Sequence, residues 1–89
     1  MKPSDILRKY GWIQGDWRTK QGFCLVGAVR HAYRTSRDPR QRALKRALQH
    51  IKNVITPNRD AGPCMMTQWN DEAGRTIEQV LAVLRKAGL

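Results

Sequence analysis

Residues 11–28 read GWIQGDWRTKQGFCLVGA. Up to Gly22 the stretch holds three glycines, Asp16 and no helical period; from Phe23 onward apolar residues recur at helical spacing. The change marks a structured loop over 11–22 followed by a helix over roughly 23–35. Leu25, Ala28, Val29 and Ala32 share one face of that helix, flanked by Val26 and Tyr33, with Arg30 and Arg34 nearly opposite. Gly27 in mid-helix costs about 1 kcal/mol relative to alanine, and the simplest reason for it is close approach of another backbone. WRTK at 17–20 has the makings of a short strand, but no neighbouring segment is an evident partner, so strands are not required.

Before the loop, Pro3-Ser4-Asp5 is a helix start, with Ser4 as cap and Asp5 at the positive end. Ile6, Leu7 and Tyr10 give the apolar stripe, and Gly11 fits a left-handed stop, so the first helix runs over roughly 5–10. Beyond the second helix, Asp38-Pro39-Arg40-Gln41 reads as cap, first helical position and capping-box partner. The third helix then spans roughly 39–55. It sets Leu44, Ala47, Leu48, Ile51, Val54 and Ile55 against Arg42, Lys45, Arg46, Gln49, Lys52 and Asn53. Residues 56–70 are irregular, with a short helical turn at Cys64, Met65 and Met66 that plugs the core. Thr76 and Gln79 make a capping box for a last helix over roughly 76–87, buried through Ile77, Val80, Leu81, Leu84 and Ala87. The expectation is an all-α domain over 1–89, a compact bundle of about four helices with two structured loops.

A chain of 89 residues has a thin core, so the large residues Trp12, Trp17 and Trp69 are first candidates for anchors. No apolar run of membrane-spanning length occurs, and the N-terminus lacks a signal-peptide core. These features place the chain in the cytoplasm, with Cys24 and Cys64 as free thiols.

GWIQG at 11–15, CLVGA at 24–28 and WNDEAGRTIEQVLAVLRKA at 69–87 together resemble a small uncharacterised domain family of actinobacteria and their phages. Its pattern is a GW-x-QG loop, a C-x-x-GA helix start and a WND-x-x-GRT segment. This chain is shorter than many members, which carry an insert before that last segment. The resemblance implies a phage-type accessory protein inside a bacterial host and carries no mechanism.

Several chemistries are open to these residues. The order Gln14, Cys24, His50, Asn70 is that of a papain-like cysteine hydrolase, in which a helix N-terminus and an imidazole activate the thiol. The CGSCW signature is absent, and His31 lies about 10 Å along the helix axis from Cys24. Cys24 as a small buried residue beside Gly27 and Ala28 is the plainer reading. Zinc at Cys24, His31, His50 and Cys64 lacks close-paired ligand spacing. GWIQG is no phosphate loop; Trp12 packs inward and Gln14 bonds an otherwise orphaned backbone group. Asn70 and Asp71 hydrogen-bond the turn before the last helix. Trp17 with Arg18 and Lys20 is either part of a packed loop or a stacking surface for a nucleobase.

Charge gives the functional direction. The chain carries +10, and between residues 30 and 52 the cations Arg30, Arg34, Arg37, Arg40, Arg42, Lys45, Arg46 and Lys52 face the single Asp38. A solvated helix face usually mixes signs; a nearly uniform positive one is the footprint of phosphate contact. The expected partner is therefore nucleic acid, held through these eight residues on the second and third helices. An acidic host protein on the same face is the alternative, and a hydrolase using Cys24 comes third. No catalytic residue, cofactor, metal or membrane partner is assigned.

Overall fold

The computed structural model describes residues 1–34, 41–56 and 65–89. Five helices and a two-stranded sheet occur among them: α1 (Pro3–Tyr10), β1 (Arg18–Thr19), β2 (Gly22–Phe23), α2 (Leu25–Ala32), α3 (Arg42–Ile55), α4 (Met65–Asp71) and α5 (Ile77–Lys86). The architecture is mostly helical, but it is not the strictly all-α bundle of about four helices that the sequence pattern suggests. The strand at Arg18–Thr19 does have a partner. It pairs antiparallel with Gly22–Phe23, Arg18 opposite Phe23 and Thr19 opposite Gly22. Those two residues read in sequence as the end of a loop and the start of a helix, which hid the pairing.

Glycine makes this pairing possible. Gly22 has φ +143° and lies with its Cα against the Gly11 carbonyl, where a Cβ would collide with backbone. Freed of that bulk, Phe23 N–H donates to Gly11 O (3.0 Å) and Ile13 N–H to Phe23 O (3.0 Å), so the opening loop runs beside β2. Gly11 itself has φ +101° and closes α1, its N–H bonding Leu7 O. Lys2 occupies the cap position of α1 that the sequence assigned to Ser4. The Ser4 hydroxyl instead donates to Leu89 O at 2.8 Å, tying the first helix to the chain three residues beyond α5.

Cys24 caps α2. Its backbone is extended and its Sγ accepts from Gly27 N–H (3.3 Å), satisfying one of the free donors of the first turn. Gly27 has the close neighbour its position demanded: a Cβ there would run into the Trp17 carbonyl. The same carbonyl accepts from Cys24 N–H (3.1 Å). The loop thus sits directly on the head of α2.

The core lies where α1 and α3 pack on α2 and α5. Ile6, Leu7, Leu25, Val29, Ile51, Val80 and Leu84 form its centre, with Met66 entering from α4. The stripe of α3 behaves as its spacing requires: Leu44, Ala47 and Ile51 are buried, while Arg42, Lys45, Arg46 and Gln49 are exposed. The start of α3 differs from expectation. Gln41 is not a capping-box partner but the N-cap residue itself, left-handed at φ 52° with no side-chain cap. Asp38 and Pro39, read as cap and first helical residue, lie outside the described residues, as does Cys64. Residues 65–71, read mostly as irregular, form the full helix α4. The capping box of Thr76 and Gln79 is present as expected at α5.

Helix propensity alone favours Gly27→Ala by about 1 kcal/mol. The clash with the Trp17 carbonyl should reverse the sign. Chemical denaturation is expected to give a lower midpoint for the variant; a higher one would show that the loop yields freely.

Candidate functional site

The polar side chains form two networks: one closes the fold, and one is open to solvent.

The first centres on Asn70, a side chain with no exposed surface. Its Oδ1 accepts from Trp12 Nε1–H (2.6 Å) and from Leu25 N–H (3.0 Å). Its Nδ2 donates to Ile13 O (3.1 Å) and Asp71 Oδ1 (2.9 Å). Indole and backbone N–H groups only donate, so the orientation of the carboxamide follows from its partners. Leu25 opens α2, so Asn70 supplies a second cap beside the Cys24 sulfur. Asp71 Oδ1 also accepts from Gly15 N–H (3.0 Å), and Gln14 Nε2 donates to Asn70 O (2.9 Å) and Glu72 O (3.0 Å). Gln14 therefore satisfies carbonyls at the C-terminal end of α4, the orphaned backbone groups anticipated for it. Asn70 and Asp71, expected to serve the turn before the last helix, serve the opening loop instead.

That turn is held by Arg75. Its guanidinium stacks on Trp69 at 3.9 Å from the ring centroid, its Nε donates to Trp69 O (2.9 Å), and it pairs with Glu72 at 2.5 Å. Gly74 at φ +84° gives the reversal that brings Arg75 back over α4. The GW-x-QG loop, Cys24, Gly27, Asn70, Asp71, Gly74, Arg75 and Thr76 thus all have architectural roles.

Cys24 is 1% exposed. Desolvation by burial raises its thiol above the ordinary value, outweighing the backbone N–H groups around it. The Asn70–Asp71 pair does lie beside this cysteine, but Asn70 is fully engaged by the loop and α2. Among the described residues no histidine bonds Cys24. His50 is exposed on α3. His31 sits with Tyr10 and Phe23, its ring 4.8 Å from the Phe23 centroid. Burial, followed by Arg34 and Arg18 nearby, lowers its pKa below the usual imidazole value. No group of three or more His, Cys, Asp or Glu suited to a metal occurs among the described residues.

The open network is cationic. Arg30 of α2 and Lys45 and Lys52 of α3 converge on one groove of about 400 Å³, with Trp17, Gln49 and Thr67 on its walls and Val26, Leu48 and Met66 beneath. Helical spacing explains the α3 contribution, since positions 45, 48, 49 and 52 fall on adjoining rows. Among the described residues no carboxylate lines this groove, and none pairs with Arg30, Lys45 or Lys52. Arg34 lies elsewhere, in a cavity with Tyr10, Arg18, Lys20, Phe23 and His31. Arg42 and Arg46 are exposed on α3 outside the groove. Arg37 and Arg40 fall outside the described residues. Of the eight cations grouped by sequence, Arg30, Lys45 and Lys52 share this groove, and Arg34, Arg42 and Arg46 lie outside it. Trp17, read as either packed or binding, is 50% exposed at the groove wall, with the Arg30 guanidinium 4.5 Å from its ring centroid.

Asn70→Ala leaves the Trp12 indole, Leu25 N–H and Ile13 O without their partner; at about 1–3 kcal/mol for each stranded group, a loss of about 3 kcal/mol or more is expected. Asn70→Asp should be no rescue, because its second oxygen would face Ile13 O and Asp71 where a donor is needed. Denaturant midpoints check both, and an Asp variant as stable as the wild type would refute the assigned orientation. For Cys24, thiol labelling of the native protein should be slow and should accelerate with denaturant alongside unfolding.

No curated protein and no solved structure matches the chain. A family profile does, across almost the whole sequence. The match covers residues 3–88, and the chain belongs to the family of unknown function DUF6197.

Proposed function

We propose that this domain binds nucleic acid through the basic surface of α2 and α3, chiefly by contact with phosphates. The observation that carries the reading is the convergence of Arg30, Lys45 and Lys52, from two helices, on one groove that no carboxylate among the described residues lines. Three cations brought together without counter-charges repel one another, and a phosphate backbone relieves that repulsion while releasing its own counterions. Arg42 and Arg46 extend the charged surface along α3, and Arg18, Lys20 and Arg34 surround a second cavity near the hairpin. Phosphate contacts fix position without reading bases, so recognition is only weakly dependent on sequence. A role as an accessory protein in actinobacteria or their phages, implied by the motif resemblance, belongs with this proposal.

Titration with short duplex DNA over a range of salt concentrations tests it. Engagement of about five phosphates gives a slope of log affinity against log salt of about −4 to −5. Replacing Lys45 and Lys52 together by glutamine should weaken binding on all sequences and reduce the magnitude of the slope by about two. Lys45 is exposed, Lys52 is half-buried and neither belongs to the core, so the denaturation midpoint should change little. Absence of binding by the wild type at low salt would refute the proposal and direct attention to an acidic protein partner.

A further inference from the structure

Trp17 presents a contradiction that the fold does not explain. Its backbone is among the most constrained in the loop: its carbonyl accepts from Cys24 N–H and rests where a Cβ of residue 27 would be. Yet its ring, one of the two indoles in the loop, is half exposed. Trp12 and Trp69 both pack against the core. A loop held this firmly, bearing an indole in water, is a preorganised platform.

The surroundings say what the platform suits. Arg30 stacks on the ring, and among the described residues no second cation or aromatic ring does. Val26, Leu48 and Met66 give the groove an apolar floor, while Lys45, Gln49 and Lys52 line α3 across it. Its volume, about 400 Å³, lies within the range of roughly 300–1,000 Å³ found for small-ligand sites. Trp17 and Thr67 also line a second cavity, with Gly15, Asp16 and Arg18, so the indole stands between two openings.

We infer that the groove holds an unpaired base of a single-stranded nucleic acid, stacked on Trp17, with the flanking phosphates on Arg30, Lys45 and Lys52. The inference rests on the nucleic-acid reading of the basic face and goes beyond it by naming the form bound. Charge alone accepts single strands and duplexes alike. A stacking aromatic does not, because bases in a duplex present their edges and keep their faces against each other. Gln49 at the groove supplies an amide for a base edge, which permits a mild preference and no strict code.

Anisotropy titrations of the full chain with fluorescein-labelled oligothymidylate, oligouridylate and a duplex of equal length are the test. The wild type should bind the single strands more tightly than the duplex, with the two single-stranded arms showing whether DNA or RNA is preferred. Trp17→Ala should weaken single-strand binding by about 10-fold or more while changing duplex binding by less than about 2-fold. Trp17→Phe should retain most of the single-strand affinity. A second readout does not depend on the alanine variant: the fluorescence difference between wild type and Trp17→Phe should be quenched by single strands and not by duplex. Binding of both forms with no loss at Trp17→Ala and no selective quenching would overturn this inference and leave the basic-face proposal standing. No binding of any of the three probes at low salt would overturn both.

Discussion

The Asn70 carboxamide, buried in α4, bonds both the opening loop and the start of α2. It accepts from Trp12 and Leu25 and donates to Ile13 and Asp71, with every polar atom satisfied. An amide withdrawn from water without partners is costly, by about 2–7 kcal/mol. The loop, α2 and α4 must therefore take up their mutual positions together, because any one of them displaced strands a donor or acceptor. Asparagine is also the only residue of this length that accepts through one atom and donates through the next. Aspartate lacks the donor and leucine lacks both.

Much of the rest follows from that junction. Once Trp12 and Ile13 are held at Asn70, Gly11 lies against Gly22, Phe23 pairs back to Gly11 and Ile13, and the Trp17 carbonyl reaches Gly27. The two glycines at 22 and 27 are required for the same reason, since each lies where backbone occupies the space of a Cβ. On the other side of α4, Gly74 and Arg75 return the chain to the capped start of α5. The residues that look most like an enzyme centre in sequence, a glutamine, a cysteine and an asparagine, converge around the loop junction. There the glutamine closes a helix end, the cysteine opens another, and the asparagine joins them to the loop.

The surface that remains is correspondingly simple. With +10 on 89 residues, cations must lie close together somewhere. The fold gathers three of them, Arg30, Lys45 and Lys52, around an apolar groove rather than spreading them evenly. Trp12 and Trp17, five positions apart in the same loop, show the division between architecture and surface. The Trp12 indole nitrogen reaches a buried acceptor, while the Trp17 ring carries the Arg30 guanidinium and remains half in contact with solvent.

Several features were legible in the sequence because their causes are local. The stripe of α3, the capping box at Thr76, the stop at Gly11 and the close approach at Gly27 each depend on residues within a turn or two, or on one missing side chain. The mostly helical class and the basic character of the segment from 30 to 52 were open to reading for the same reason. The pairing of Arg18–Thr19 with Gly22–Phe23 was not, since its turn at Lys20 and Gln21 lacks the usual glycine-bearing hairpin pair and its second strand reads as a helix start. Nor could spacing reveal that Trp12 meets Asn70 across 58 positions, or that Arg30 joins Lys45 and Lys52 while Arg34 does not. Local sequence determines which face of each helix is apolar and where it can begin and end, because those follow from a fixed rise and period. Which polar groups meet is decided only when the chain closes: a hydrogen bond acts within about 3 Å, and contacts that short between distant residues exist only in the assembled fold.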